Sequence, residues 1–349
     1  MCGVAGTIGK LSNISQDADR LPPHPEDPCK NRRHAVNRRD ALVLAGALTA
    51  QIQMHFHYMH SLRAMTALVL VLPWVANAYE GAAKRWTPSQ IATDQYESSP
   101  TFTPDGREIF FVRSDTGFDH YRILWSRCEA GAWTHPQSPP FAAAPPVLEA
   151  DPFVTVDGRR LYFISSRETK QPDDLDIWYV DRTANGGWTI AQRLPEPVNS
   201  DAPELLPRAD AAGRLYFGSS RPGGAGQGDI YVAMPGENDT WRVSNLGPPV
   251  NTAAFEYEAE ISRDGRTLIV VADRGDRSHL YRFALERGGW VEQDRVPAFA
   301  HVFQVGPLLS PAADRLLFAQ ADGKRSGEMF LIDLLPNADS GWPARCSAR

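Results

Sequence analysis

From about residue 86 onward, hydrophobic and polar positions alternate in short blocks separated by turn residues, and no long helical period appears. Leu161-Tyr162-Phe163-Ile164 is an unbroken apolar run, too short for a helix and rich in β-formers, so it predicts a strand buried on both faces. Asp157-Gly158 just before it is hairpin chemistry, because glycine accepts the positive φ of a tight turn. Ile177-Trp178-Tyr179-Val180 predicts a second strand, and Asn185-Gly186-Gly187 turns the chain into a third, Trp188-Thr189-Ile190. With Phe153 to Val156 ahead of the first turn, the unit holds four antiparallel strands.

The same order of features recurs. Gly106-Arg107 leads to a unit ending at Trp133, Gly213-Arg214 to one ending at Trp241, and Gly265-Arg266 to one ending at Trp290. A worn copy runs from Asp314-Arg315 to Trp342. A period of roughly 50 residues signals a propeller, solenoid or array. Small four-stranded sheets repeated about an axis are propeller blades. The expected fold is therefore all-β: a five-bladed β-propeller of four-stranded antiparallel blades. A six-bladed ring is the alternative, and it would need a unit that the chain does not display. An open array is the other arrangement the same units could form. The segment Trp86-Thr87-Pro88-Ser89-Gln90-Ile91 reads as an isolated fourth strand placed ahead of the first unit, whereas Pro343 makes the residues after Trp342 a poor strand. Docking the Trp86 segment on the last blade would close the ring and remove its exposed edge.

Composition changes the picture little. The chain has 349 residues, 42% hydrophobic and 22% charged, with a formal net charge of −6. That balance gives no sign of nucleic-acid binding, and no apolar run reaches the length of a membrane span. The N-terminal part differs from the rest. Residues 1–58 show no repeat and read as a misassigned or disordered leader. Within it, Met1-Cys2-Gly3 resembles the N-terminal nucleophile of glutamine amidotransferases without the domain that family needs, and Arg38-Arg39 resembles a twin-arginine signal. Residues 59–78 read as a secretory signal peptide: a positive start at His60 to Arg63, an apolar core from Ala64 to Val75, and Ala76-Asn77-Ala78 for cleavage. The mature propeller is then 79–349. Export admits a disulfide between Cys128 and Cys346, which a closed ring would place on neighbouring blades.

The stretch Ser219 to Asn251 resembles the TolB-type, WD40-like propeller repeat of bacterial envelope proteins. That repeat runs as proline, Asp-Gly-Arg, an aromatic strand, Ser-x-Arg and Asp-Ile-Tyr. Pro100, Pro152 and Pro207 stand at the proline. Asp105-Gly106-Arg107, Asp157-Gly158-Arg159 and Asp264-Gly265-Arg266 carry the turn, and Ser165-Ser166-Arg167 and Ser219-Ser220-Arg221 the next element. The likeness spans about residues 86–342 and weakens in the last unit, where Asp314 replaces the turn glycine. The resemblance implies a periplasmic binding module, mostly for proteins, and implies no chemistry; a fold by itself never does. The chain lacks the further domains that accompany such propellers, which leaves a role in the Tol system without support.

Candidate chemistry centres on carboxylates. Ten residues before each turn arginine stand Glu97, Glu149, Glu204 and Glu256, with Val305 in the last unit. Ahead of the innermost strands, they would circle one channel mouth and hold a cation or a basic partner segment; alternatively, each caps the loop of its own blade. Arg167 with Asp176, and Arg221 with Asp229, read as pairs that tie strands within a blade. The recurrent tryptophans read as packing between blades. Glu256, Glu258 and Glu260 alternate along one strand and would share a face, which makes Glu256 and Glu258 the candidate catalytic pair of a glycan-active hydrolase or lyase. His120, His279 and His301 are scattered, without metal-ligand or triad spacing. The leading expectation is an exported, monomeric propeller without cofactor or metal that binds an envelope protein or a glycan. The enzyme is the alternative.

Overall fold

The computed structural model describes residues 83–347, apart from 170–173, 239 and 324. The leader and signal segment read at residues 1–78 lie outside the described residues. Among the described residues there is no α-helix, so no helix long and apolar enough to cross a membrane.

The chain opens with a short strand, β1 (Lys84–Arg85). The first unit follows as β2 (Tyr96–Phe102), β3 (Glu108–Ser114), β4 (Arg122–Glu129) and β5 (Ala132–Trp133). The second is β6 (Glu149–Val154), β7 (Arg160–Ser165), β8 (Asp176–Asp181) and β9 (Gln192–Arg193). The third is β10 (Glu204–Ala209), β11 (Leu215–Ser219), β12 (Asp229–Pro235) and β13 (Trp241–Asn245). The fourth is β14 (Phe255–Ile261), β15 (Thr267–Asp273), β16 (Ser278–Glu286) and β17 (Gly289–Arg295). The last set is β18 (Gln304–Leu309), β19 (Arg315–Asp322) and β20 (Arg325–Asp333). The second, third and fourth units are each a four-stranded antiparallel sheet in sequence order. The last and first sets run together into one mixed, eight-stranded path, because Tyr96 of β2 meets Gly327 of β20 through a parallel bridge.

The segment that begins the described chain pairs with its end. Lys84 faces Leu331 and Arg85 faces Phe330 on β20. The amides of Trp86 and Thr87 both donate to the Met329 carbonyl, at 2.8 and 3.3 Å. The strand lies earlier than Trp86 to Ile91, the expected range, and the reason is Pro88: lacking an N–H, it ends the pairing, and its carbonyl accepts from Ile91 and Ala92 in a turn. A similar displacement occurs in the second unit. Trp188 forms an isolated bridge to Arg182, and the regular fourth strand is Gln192–Arg193.

The turns explain the Asp-Gly-Arg recurrence. Thr155 Oγ1 donates to Asp157 Oδ1 at 2.7 Å, which also accepts from the Arg159 amide at 3.0 Å, and Gly158 takes φ 72°. Thr103 with Asp105, and Ser262 with Asp264, repeat the arrangement. In the last unit the left-handed position belongs to Ala313, at φ 54°, and Asp314 is the residue after it.

The tryptophans are buried or half-buried between sheets, as in the packing reading. Trp188 of the second unit meets Phe110 of the first edge-on at 6.0 Å, and Trp342 meets Phe102 at 6.4 Å. Beside Trp342, Cys346 is bonded to Cys128 of β4 with Cα atoms 5.3 Å apart.

Candidate functional site

The strands that open each unit, β2, β6, β10, β14 and β18, pack each beside the next, with β18 beside β2. All five are bulged near the middle, between Ser98 and Thr101, Ala150 and Phe153, Leu205 and Arg208, Glu256 and Glu258, and Val305 and Leu308. A bulge leaves one residue out of the ladder and re-aims its neighbours. In four of them that residue is left-handed: Ser99 at φ 46°, Asp151 at 54°, Leu206 at 45° and Gly306 at 59°. A proline follows each of these, losing no ladder bond because the bulge has already broken it.

The freed groups bond from one inner strand to the next. Ser99 Oγ donates to Asp151 Oδ1 at 2.8 Å, and the Leu206 amide to Asp151 Oδ2 at 3.1 Å. The Gly306 amide donates to Glu258 Oε2 at 2.8 Å, and the Leu309 amide to Glu260 Oε1 at 3.0 Å. Arg208 Nε lies 2.8 Å from Glu260 Oε2, with both side chains almost wholly buried. Close approach is part of this geometry. A Cβ on Gly306 would come within 2.7 Å of the Ser99 nitrogen, and one on Gly218 within 1.9 Å of the Tyr257 carbonyl oxygen.

Around the axis, then, one arginine meets three carboxylates. Burial pushes Glu258 up to about 8, aided by the charge of Asp151 and opposed by the Gly306 amide and Arg208. Burial also raises Glu260, to about 7, against the pull of Arg208. Asp151 is raised by burial too, again with Arg208 opposing.

On one side of this cluster the channel opens into a cavity of about 90 Å³. Its walls are aromatic and aliphatic, with Tyr96, Phe118, Tyr121 and Tyr257 among them, and Asp151 and Glu258 reach it as its acidic groups. Tyr96 sits edge-on to Phe118 at 5.0 Å and to Tyr121 at 6.3 Å. On the other side a second opening is lined by the turns, from Thr103 to Gly106 and from Ser262 to Arg263.

The sequence-predicted glutamates lie elsewhere. Glu97, Glu149, Glu204 and Glu256 are all buried, and none faces the cavity. Each holds the loop that leads into its own strand, accepting from the amide of Thr93, Ala143, Ser200 or Thr252. Three also hold an arginine of the same sheet: Arg113 at 2.8 Å, Arg167 at 2.5 Å and Arg221 at 2.8 Å. Burial raises the first three carboxyls, Glu204 to about 7. In the last unit the equivalent residue is Gln304 and not Val305: Gln304 faces Gln320 as Glu149 faces Ser165 and Glu204 faces Ser219. The expected Arg–Asp pairs are also replaced. Arg167 and Arg221 go to the glutamates, Asp176 takes Arg193 at 2.6 Å, and Asp229 accepts from Asn245 and the loop amides of Ala225 and Gly226.

Strict alternation would align Glu256 with Glu258 and Glu260. The bulge at Tyr257 breaks it, so Glu256 stays with Thr252 Oγ1 at 2.6 Å while Glu258 turns to the cavity beside Asp151 of another sheet. The histidines remain apart: His120 pairs with Asp115, and His279 with Gln304. Among the described residues, no group of three or more His, Cys, Asp or Glu side chains is arranged to hold a metal ion. No spacing or motif of side-chain types in the sequence marks Asp151, Arg208 or the tyrosines. The signal lay in the residue before each recurrent proline and in the one after it, which the bulge turns toward the axis.

Sheets of this kind around an axial cavity define an all-β, propeller-type protein. The chain is similar to TolB structures. For TolB from Acinetobacter baumannii the identity is 16% and the TM-score 0.44, with 70% of this chain and 56% of that one covered. For a putative TolB from Agrobacterium tumefaciens the values are 15% and 0.47, with 69% and 78% covered. It is also similar to prolyl oligopeptidase B from Galerina marginata, at 12% identity and TM-score 0.41, covering 69% of this chain and 32% of that one. The chain thus spans little more than half the length of the Acinetobacter protein. No family model and no curated protein matches it.

Proposed function

We propose that this chain is an exported binding module: a five-bladed ring, working as a monomer in the cell envelope, that receives part of a partner protein in its axial cavity. The observation that carries the reading is the cavity itself. It is concave, walled by aromatic side chains from several sheets and floored by a few convergent polar groups, the usual make-up of a binding pocket. The blade count rests on parting the eight-stranded path at the Tyr96–Gly327 bridge, which leaves β1 as the fourth strand of the last blade. Export rests on the signal-like residues 59–78, and the envelope on the TolB-type repeat motifs. The four glutamates serve as loop ties, so recognition falls to the cavity wall.

Photo-crosslinking in the producing cell tests this reading. A crosslinker at Phe118 or Phe303, on the cavity wall, should give a discrete adduct that one at Asp105, on the opposite turns, does not. Adducts of equal yield from both faces, or none from either, would place binding elsewhere, and recovery of the full chain in the cytoplasm would remove the exported role. Turnover of a glycan by the wild-type chain would favour a hydrolase instead.

A further inference from the structure

The cavity floor gathers more carboxyl groups than the positive charge around it can hold ionised. Asp151, Glu258 and Glu260 gather about one arginine, and Arg208 is committed to Glu260 at 2.8 Å. Both oxygens of Asp151 are already acceptors, and one oxygen of Glu258 takes the Gly306 amide. No lysine, arginine or histidine is among the described residues that line the cavity. A carboxylate pair turned toward an apolar space is costly unless a positive charge meets it.

A second observation is independent of the acids. Tyr257 is 2% exposed and Ser278 is 1% exposed, both line the cavity, and neither hydroxyl has a hydrogen-bond partner. The Ser278 hydroxyl stands close enough to that of Tyr257 to favour its ionised form, yet the pair falls short of hydrogen-bond geometry, so both keep capacity for a further partner. A buried hydroxyl is normally satisfied, and an unsatisfied one calls for an explanation. The walls then limit the class of occupant. Tyr96, Phe118 and Tyr121 present ring faces and edges, suited to a cation on an apolar stem. Two carboxylates among aromatic rings fall short of the six to eight oxygens that calcium takes.

We infer that the cavity binds a primary ammonium group carried on an apolar stem, with Glu258 and Asp151 facing the charge, the Tyr257 and Ser278 hydroxyls accepting its N–H groups, and the tyrosine rings enclosing the stem. This rests on the cavity being the binding site and names what it recognises. Two sources share the chemistry: a small free amine, or a lysine side chain presented by the partner protein.

Calorimetry on the mature chain separates them. Benzylamine is compared with benzyl alcohol, its neutral counterpart, and an end-blocked peptide with one lysine is compared with the same peptide acetylated at that lysine. The expected result is binding of at least one ammonium probe, at least tenfold tighter than its neutral counterpart and weakened at least tenfold by Glu258→Gln. Benzylamine alone points to a free amine, and the peptide alone to a partner's lysine. Equal affinity for charged and neutral probes, no binding of either ammonium probe, or binding indifferent to Glu258→Gln overturns the inference. Should Glu258→Gln not fold, Tyr257→Phe keeps the cavity shape and removes one acceptor; weakening of the ammonium probe supports the inference, and unchanged affinity overturns it. A cavity that ignores amines while the crosslinks at Phe118 persist would sink the ammonium reading and leave the binding module standing.

Discussion

Replacing Glu258 by glutamine should change how stability depends on pH more than it changes stability itself. Burial and the neighbouring Asp151 raise this carboxyl from 4.5 to about 8. In the unfolded chain it loses its proton near its ordinary value, so from there up to about pH 8 the folded state holds one proton more. Unfolding free energy then falls as pH rises, by about 1.4 kcal/mol per pH unit for one such group. The contribution is fully present below pH 4.5, is lost as pH climbs through the folded value, and amounts to about 4 kcal/mol between pH 5 and 8. Glu260 and Glu204, each raised to about 7, slope the same way and remain in both proteins. Glutamine keeps an acceptor for the Gly306 amide, so the two chains should differ little at pH 5. The measurement is urea unfolding of wild type and Glu258→Gln at each pH from 5 to 8, with equal m-values as the condition for comparison. The variant should gain on wild type by about 1.4 kcal/mol per unit. Parallel curves would mean that Glu258 is ionised in the fold already, and the account of a charge-starved cavity floor would fail.

Breaking the Cys128–Cys346 bond by serine replacement at both positions should lower unfolding free energy by about 2–5 kcal/mol, because a cross-link over 218 residues strongly restricts the unfolded chain; an unchanged denaturation midpoint in oxidising buffer would show that the bond adds nothing. Ala313→Gly should raise stability by about 0.5–1 kcal/mol, since an alanine at φ 54° carries a steric cost that glycine avoids, and a lower melting temperature would refute the strain. N-terminal sequencing of exported chain should begin near Tyr79, and an intact Met1 on exported protein would refute cleavage there.

Repetition is the reason the strands could be read from sequence and also the reason the site could not. Every sheet needs a turn, an apolar strand and a packed tryptophan, so those residues recur and their shared period exposes the architecture. The same logic misdirects the search for function, because Glu97, Glu149, Glu204 and Glu256 recur for the sake of their own loops and are consumed by Thr93, Ala143, Ser200, Thr252 and the neighbouring arginines. The axial residues do the opposite. Ser99, Asp151, Leu206 and Gly306 occupy the bulges of their strands, Glu258 directly follows the bulge of its own, and the five share no side-chain type, so no periodic pattern marks them. Alternation would have carried Glu256 to the axis, and one extra residue at Tyr257 sends Glu258 there instead. Counting ten residues back from the turn arginine reaches Val305 in the last unit because that turn carries its arginine one place later relative to the left-handed residue, and the ladder restores Gln304. In a ring of like sheets, what each sheet must have builds the wall, and binding falls to the positions where the sheets are free to differ.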